Sequence, residues 1–288
     1  MVNKTKISII VNTFNEEKNI SRCLETVKWA DEIVLVDMYS EDKTVEIAKK
    51  YTNKIYFFEK KYYVEPARQF AFSKTSHEWV LIVDADELVP VTLKNKLYEI
   101  AENDLADIVR IPHNNYFFGK LMRGTRWGAL QDMHFRFFKK SFMSFTAKIH
   151  GGVVISKKAR IYTIIEPESG FIHFNYIDFD HFINKFNSYS SIDAQNIYEK
   201  IKPEISLGRA ILWGIKEFIG RFIKNKGYRD GINGFALSLL MSIYKIVVYA
   251  KYKLMVEFGS KDPQDKIGLI YTDKARKIIK EYNTLNKD

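Results

Sequence analysis

Residues 7–84 repeat one pattern, in which a short apolar run is followed by a polar turn and then by a segment with helical spacing. The apolar runs cover residues 7–11, 33–36, 55–58 and 79–83. Each run is apolar throughout instead of alternating, which is typical of strands that are covered on both faces of a parallel sheet. Because such strands alternate with helices in βαβ units, the pattern predicts an α/β fold with a doubly wound, mostly parallel sheet.

The segment after the first apolar run has a clear helical pattern. Ile20, Cys23 and Val27 fall on one face of the predicted helix. Asn15 is expected to cap this helix, since an asparagine side chain accepts hydrogen bonds from the first free amides. Cys23 is then a core residue, and as the single cysteine of the chain it cannot form an internal disulfide.

Beyond residue 101 the pattern changes. Short strand-like runs at 107–112, 133–138, 152–155 and 171–174 are separated by turns instead of helices, which predicts an antiparallel extension of the sheet. From residue 182 onward the spacing is helical. We therefore expect one domain over residues 1–200 and a helical C-terminal tail over residues 201–288.

Composition and charge narrow the class of protein. Hydrophobic residues make up 46% of the 288 residues, which excludes intrinsic disorder. The N-terminus lacks the pattern of a signal peptide, so a cytoplasmic location is expected. Residues 201–288 hold 17 Lys and Arg against 9 Asp and Glu. This excess is compatible with nucleic acid, with an anionic membrane surface or with a solvated helical face, and charge alone leaves the three open.

Polar residues follow the predicted strands at the edge where α/β sheets bind ligands. Asp84, Asp86 and Glu87 lie within four residues of one another, so mutual repulsion raises one or more of their pKa values unless a cation is present. Oxygen ligands of this kind suit Mg²⁺ or Mn²⁺, and the alternative is that these acids cap the following helix. Asp37 ends the second run, where an acid is well placed to contact a ribose or base. No glycine-rich loop follows the first run, which disfavours a dinucleotide fold and a P-loop.

Three motifs together resemble the family-2 glycosyltransferases. They read ISIIVNTFNEE from Ile7, IVLVDMYSEDKT from Ile33 and DADE from Asp84, and they stand in the order and spacing of that family. Gln69, the HFRFF stretch from His134 and the Ile149–His150 pair are similar, more narrowly, to bacterial transferases of the lipopolysaccharide-core glucosyltransferase type. The resemblance implies the glycosyltransferase A type of nucleotide-binding sheet, and it makes residues 1–200 the catalytic domain.

The resemblance also implies roles for individual residues. Those it assigns to the nucleotide diphosphate sugar donor are Thr13, Asn15, Glu16, Asp37, Gln69 and Asp84. Asp86 would bind the Mn²⁺ or Mg²⁺ ion as the second acid of the Asp-X-Asp pair. His173 lies where related enzymes often place a third metal ligand, and its alternative is a histidine of the core.

The general base of the reaction has two candidates. The family often has a glutamate after the histidine of the pair at 149–150, but here Gly151 follows His150. Asp132 resembles the acid of the Glu-Asp motif of the superfamily, and His150 has an ordinary pKa suited to proton uptake at neutral pH. The alternatives for Asp132 are a turn acid and an ion-pair partner of Arg136. The neighbouring stretch 123–128, which contains Trp127, is interpreted as a lid of the acceptor site or as an ordered surface loop.

The C-terminal tail contains an apolar stretch at 235–250 with Lys245 as its one charge. Its 16 residues would form a helix of about 24 Å, shorter than the ~30 Å hydrocarbon core, so a spanning segment is not expected. The basic flanks fit peripheral contact with an anionic membrane surface, on the inner face of the cell membrane. Packing on the catalytic domain explains the apolar residues as well.

These observations support one function above several others. The hypothesis is an inverting, metal-dependent glycosyltransferase that moves a sugar to a glycan or lipid-linked acceptor in cell-surface polysaccharide or lipopolysaccharide assembly. A sugar nucleotidyltransferase is the alternative enzyme, but it needs a glycine-rich triphosphate loop that the sequence lacks. A membrane-associated protein with a decayed site is the non-catalytic alternative. Nucleic acid is not an expected partner, because only the charge of the tail supports it.

Overall fold

A computed structural model describes residues 5–59, 65–145 and 153–285. The chain divides into two compact units. The first contains Met1–Phe179 and Asn225–Gly234, and the second contains Asp180–Lys224 and Phe235–Asp288. The units thus separate at Phe179, whereas the sequence places the end of the catalytic domain at residue 200. Which residues catalysis requires stays a prediction.

The first unit is built around one large sheet. Its strands are β1 (Ile7–Thr13), β2 (Glu32–Asp37), β3 (Ile55–Phe57), β4 (Trp79–Asp84), β5 (Glu87–Leu88), β6 (Ile108–Phe117), β7 (Lys120–Leu121), β8 (Met133–Lys139), β11 (Ile161–Thr163) and β12 (Phe171–Tyr176), while β9 (Met143–Phe145) and β10 (Val153–Ile155) form a separate pair. Its helices are α1 (Ile20–Val27), α2 (Thr44–Ala48), α3 (Glu65–Lys74) and α4 (Val91–Glu102). The strand order is β3-β2-β1-β4-β8-β6-β12-β5.

The strand directions confirm an α/β fold with a mostly parallel sheet. β3, β2, β1 and β4 are parallel neighbours, as continuous apolar runs require. The extension begins as predicted, because β8 runs antiparallel to both β4 and β6. It is not antiparallel throughout, since β11 and β12 pair in parallel with β6.

Alternate residues of the central strands face two different cores. Ile9 and Leu81 pack in a cluster with residues of α1 and α4, whereas Ile10 and Ile82 pack in a second cluster with residues of α3. Burying each of these side chains contributes roughly 1.5–3 kcal/mol. The sheet is therefore covered on both sides, which leaves its carboxyl edge as the place where polar side chains gather.

The helix α1 begins later than the sequence predicts. Its N-terminal cap is Asn19, and Asn15 lies before it with a positive φ of 54°. The side-chain oxygen of Asn15 instead accepts a hydrogen bond of 2.8 Å from the backbone amide of Glu41. The capping role of Asn15 is thus wrong, because its carboxamide joins the turns after β1 and β2. The predicted inward face is confirmed, with Cys23 buried.

The second unit is helical, as expected for the C-terminal region. It contains α6 (Leu207–Phe218), a π-helical segment at Ile219–Lys224, α8 (Gln264–Leu285), and all but the first residues of α5 (Phe179–Tyr198) and α7 (Gly231–Phe258), which begin in the first unit. α5 and α7 share an apolar cluster that includes Ala194, Val248 and Met255. α7 has 28 residues, so the length argument against a spanning helix is wrong. Within the described residues, the helix at 227–258 is long and apolar enough to cross a membrane by length and composition alone.

Candidate active site

The pairing of two distant strands brings a histidine to the acidic cluster. β5 pairs antiparallel with β12, which aligns Glu87 with His173. Asp86 precedes β5, and its Oδ2 atom lies 3.4 Å from Nε2 of His173. Both side chains are mostly buried, with 19% and 16% of their surfaces exposed. The fold thus places the two predicted metal ligands side by side, although they are far apart in the sequence.

Two arginines neutralise the first acid of the cluster. Nη2 of Arg68 contacts both carboxylate oxygens of Asp84, at 2.7 and 2.9 Å, and Nη2 of Arg136 contacts its Oδ2 at 2.6 Å. Burial by itself would raise the pKa of Asp84, but the positive charges of Arg136 and Arg68 hold that pKa well below its ordinary value. Asp84 is therefore ionised and already paired within the protein.

Glu87 belongs to the same buried network. Its Oε1 atom lies 3.2 Å from Nη2 of Arg136 and 3.1 Å from Nε2 of His113. Burial raises the pKa of Glu87, while Arg136 and His113 lower it, and the net shift is downward. Removing one partner of a buried ion pair typically lowers the stability of a protein by about 3–5 kcal/mol. The contacts of Asp84 and Glu87 with Arg136 therefore stabilise this part of the site.

The electrostatic expectation for the acidic cluster is wrong in part. Repulsion was expected to raise pKa values until a divalent ion bound, yet the pKa values of Asp84 and Glu87 are lowered by protein cations. Arg136 lies in the HFRFF motif, and Arg68 directly precedes Gln69, which is itself exposed on α3. The structure thus leaves Asp86 as the acid of this cluster that faces a histidine and not an arginine.

An asparagine on β6 connects His173 with the candidate base. The side-chain nitrogen Nδ2 of Asn115 donates to Oδ2 of Asp132 at 2.8 Å and to the carbonyl of Trp127 at 3.0 Å. Its oxygen Oδ1 lies 2.7 Å from Nδ1 of His173. Since the amide oxygen only accepts, Nδ1 of His173 carries a proton, and Nε2 is the atom that faces Asp86. Asn115 is fully buried, and the polar run His-Asn-Asn in this strand is the sequence signal that could have found it.

Asp132 is an ionised carboxylate between two polar neighbours. Its Oδ2 accepts the hydrogen bond from Asn115, and its Oδ1 accepts a hydrogen bond of 2.8 Å from Nε2 of His134. Burial acts to raise the pKa of Asp132, but the hydrogen bonds from His134 and Asn115 prevail and lower it to about 2. The alternative that Asp132 pairs with Arg136 is wrong, since Arg136 contacts Asp84 and Glu87 instead.

The residues assigned to the donor nucleotide form a second cluster at the ends of β1 and β2. The Asp37 carboxylate is buried and accepts hydrogen bonds from Oγ1 of Thr13 at 2.9 Å and from the hydroxyl and amide of Ser40 at 2.6 and 2.7 Å. The backbone amide of Glu16 donates to Oγ1 of Thr44 at 2.7 Å. These contacts hold the two turns together, and direct contact with a nucleotide stays a prediction for each residue.

The structure brings most of the predicted site residues to one edge of the sheet. β1 lies between β2 and β4, so the cluster of Thr13 and Asp37 neighbours the strand that carries Asp84. Asp86, His173 and Asp132 lie on the other side of that strand, joined through Asn115. His150, the second candidate base, lies outside the described residues. In the described ranges no group of three or more His, Cys, Asp and Glu side chains forms a metal site.

The carboxyl edge of this α/β sheet thus carries the carboxylate–histidine pair of Asp86 and His173 and a second, separate carboxylate, Asp132. The sequence profile of Glycosyl transferase family 2 matches residues 8–159, which is more than half of the chain, and the chain belongs to that family. An uncharacterised glycosyltransferase of Rickettsia typhi is 28% identical over 257 residues, covering 86% of this chain and 87% of the relative.

Two further proteins extend the comparison. The lipopolysaccharide core biosynthesis glycosyltransferase LpsC of Rhizobium meliloti is 25% identical over 260 residues, covering 87% of this chain and 93% of LpsC. Among solved structures, S. aureus TarS (residues 1–349) aligns over 89% of this chain and 92% of its own, with 15% identity and a TM-score of 0.44.

Proposed function

We propose that this glycosyltransferase moves a sugar from a nucleotide diphosphate sugar to a glycan or lipid-linked acceptor with inversion at the anomeric carbon. The observation that carries the proposal is the continuous set of contacts from Asp86 through His173 and Asn115 to Asp132. Inverting transfer needs one group that stabilises a leaving diphosphate and another that takes a proton from the acceptor. Asp86 would supply the first function through a divalent ion held together with His173, and Asp132 would supply the second. The buried amide of Asn115 holds both His173 and Asp132.

The side chains of Asp86 and His173 offer metal ligands that suit a divalent ion of the Mn²⁺ or Mg²⁺ type. A carboxylate oxygen and an imidazole nitrogen lie side by side, and such ions complete their coordination with water and substrate phosphates. Asp86 and His173 would hold the ion, which would neutralise negative charge on the departing diphosphate. Asp84 already forms ion pairs with Arg68 and Arg136. We therefore assign Asp84 the role of ordering the turn that carries Asp86.

The proposed transfer is a single displacement. The acceptor hydroxyl oxygen forms a bond to the anomeric carbon, while the bond between that carbon and the diphosphate oxygen breaks. Asp132 takes the proton of the hydroxyl, and the nucleoside diphosphate leaves with the bonding electrons. The buried contacts from Asn115 and His134 hold the carboxylate of Asp132 in one orientation during this step.

A buried amide supports a nucleotide site near Asp37. Both polar atoms of the Asn12 side chain are buried without a hydrogen-bond partner among the described residues. Asn12 stands in register with Val36 on β2 and with Asp84 on β4, between the two polar clusters. Because buried polar groups are nearly always paired, we propose that a bound nucleotide supplies a partner for Asn12.

A donor screen tests the proposed reaction. We expect one nucleotide sugar, incubated with the protein and Mn²⁺, to release its nucleoside diphosphate slowly by hydrolysis, and that diphosphate to raise the Tm of the protein. With an acceptor present, NMR of the product should show the anomeric configuration opposite to that of the donor. If no donor releases diphosphate and no diphosphate shifts the Tm, the non-catalytic binding protein is favoured instead.

We also propose that the second unit rests on the inner face of an anionic membrane. Leu207, Ile211, Ile215, Ile219 and Ile223 recur every four residues along α6 and the π-helical segment, and each is exposed by 44–55%. A π turn contains more residues than an α turn, which offsets the drift of a four-residue spacing. An apolar groove of about 330 Å³ continues this face to Leu239 and Ile243 of α7.

The charges beside this apolar face suit an anionic surface. Residues 205–224 contain four Lys and Arg, and their one acid, Glu217, is buried and paired with Arg221 at 2.6 Å. An apolar helical face with basic neighbours binds the boundary of acidic lipid bilayers. A lipid-linked acceptor in lipopolysaccharide or polysaccharide assembly would be reached from this position, and the resemblance to LpsC supports that setting.

Vesicle binding tests the membrane face. Ile215→Glu should reduce binding to phosphatidylglycerol-containing vesicles by about tenfold or more, because it removes apolar contact and adds a repelled charge. Val91→Glu, at a side chain of α4 that is 70% exposed, is the matched control and should bind as the parent does. Sedimentation with vesicles measures both. Equal binding by the Ile215 variant, or equal loss in the control, would contradict the proposal.

A further inference from the structure

A cleft of about 440 Å³ in the first unit carries positive charge that the proposed reaction does not use. Lys120, Arg123 and Arg229 line it, together with Asp230 as its one acid. Lys120 begins β7 and Arg123 follows that strand, while Arg229 comes from the 225–234 segment that belongs to the same unit. Two stretches of chain that are far apart in sequence thus supply the cations.

The acid of this cationic cleft is already satisfied by the protein. The carboxylate of Asp230 accepts hydrogen bonds from the backbone amides of Arg123 at 2.6 Å and Gly124 at 3.0 Å, and from Oγ1 of Thr125 at 2.6 Å. These donors offset its negative charge locally. By contrast, no ion pair with a carboxylate is seen for the side chains of Lys120, Arg123 and Arg229 within the part of the chain that the structure describes. The cleft therefore offers unpaired cations to an anionic ligand.

The wall of the cleft is preformed. The amide of Thr125 donates to the carbonyl of Asn225 at 3.0 Å. A Cβ atom at Gly124 would lie 2.3 Å from the carbonyl oxygen of Lys226, so only glycine permits this close approach of two backbones. The 123–128 stretch is thus tied down by the 225–230 segment. This geometry supports an ordered wall of a binding site over a freely moving lid.

The same wall reaches the candidate base. The amide of Met122 donates to the carbonyl of Asn115 at 2.8 Å, and the carbonyl of Trp127 accepts from the side chain of Asn115 at 3.0 Å. Asn115 also holds Asp132, the group that would act on the acceptor hydroxyl. The donor cluster, in contrast, lies at the ends of β1 and β2. The cationic cleft is therefore joined to the acceptor side of the site.

We propose that the cationic cleft binds an anionic group, phosphate or carboxylate, carried by the acceptor. Arginine donors match the two oxygens of such groups, and a cleft lined by one sign of charge concentrates ligands of the opposite sign. The proposal rests on the proposed function, since it names the class of acceptor for that reaction. An acceptor held there would present a neighbouring hydroxyl toward Asp132.

Sulfate binding tests the cleft without an acceptor. With UDP and Mg²⁺ saturating, so that the donor site is filled, calorimetric titration with sodium sulfate should show saturable binding. The double variant Arg123→Gln, Arg229→Gln should weaken it about tenfold or more, because both charged donors are lost. The charge-matched control Lys49→Gln, Lys50→Gln, at two exposed positions after α2, should bind sulfate as the parent does. No saturable binding by the parent, or equal loss in the control, overturns the proposal.

Acceptor kinetics separate this proposal from the proposed function. Sugars that carry a phosphate, a carboxylate or no charge are compared as acceptors, and one anionic form should have the lowest KM. In the double variant, the KM of this anionic acceptor should rise about tenfold while the rate of donor hydrolysis stays unchanged. The variant Lys120→Gln should also raise the KM of this acceptor. An unchanged KM, or a preference for the neutral sugar, overturns the anionic acceptor. Absence of donor hydrolysis in the parent would instead overturn the proposed function.

Discussion

Replacing Asp86 by alanine is expected to reduce turnover about 10³-fold or more and to remove metal-dependent binding of the nucleoside diphosphate. Asp86 is the one acid of its cluster that faces His173, while Asp84 and Glu87 are paired with Arg136. No neighbouring acid of that cluster can therefore take over without breaking a buried ion pair. Asp86→Asn keeps the shape of the side chain and should show the same loss, because the charge is what binds the ion.

The measurements for Asp86 separate folding from metal binding. Mn²⁺ affinity by electron paramagnetic resonance and the Tm shift caused by UDP with and without Mn²⁺ are compared with donor hydrolysis. Asp273→Ala, at an exposed position on α8, is the control and should behave as the parent does. Chelation of the parent with EDTA should reproduce the defect. A variant that retains Mn²⁺-dependent UDP binding would contradict the assignment of Asp86.

Replacing Asp132 by asparagine is expected to lower kcat by roughly 10²–10⁴-fold and to leave donor binding intact. The substitution keeps the shape of the side chain, and its one oxygen can still accept the hydrogen bond from Nδ2 of Asn115, but the carboxylate that takes the proton is lost. Glu168→Gln, at an exposed position, is the matched control for loss of a carboxylate. Activity equal to that of the parent would move the base assignment to His150.

The pH dependence of kcat provides an independent check on the base. The pKa of Asp132 is lowered to about 2, so its side chain is an ionised carboxylate at neutral pH. It becomes protonated only as the pH falls toward that pKa. At saturating donor and metal, kcat should therefore show no acid limb from the base between pH 5.5 and 8. A histidine base would instead lose about tenfold in rate per pH unit below its pKa near 6.5.

The sequence predicted the parallel half of the sheet because its signals are local. Continuous apolar runs at β1, β2, β3 and β4 and the helical spacing of α1 depend on neighbours within a few residues. The position of acids at strand ends follows from the same runs, so Asp37, Asp84 and Asp86 were found together with the strands. The direction of β11 and β12 was not readable, since each pairs with β6 across more than forty residues of chain.

What the sequence determined by itself was therefore the α/β class, the core residues of the first strands and the acidic ends of those strands, together with the motifs that mark the family. Only the tertiary structure decided which acid is free for a metal ion, because Arg68 and Arg136 reach Asp84 from α3 and β8. It also decided that Asn115 joins His173 to Asp132, and that Arg229 lies in the same cleft as Arg123. Charges and hydrogen bonds act through space over a few ångströms, and the fold, not the spacing along the chain, sets those distances.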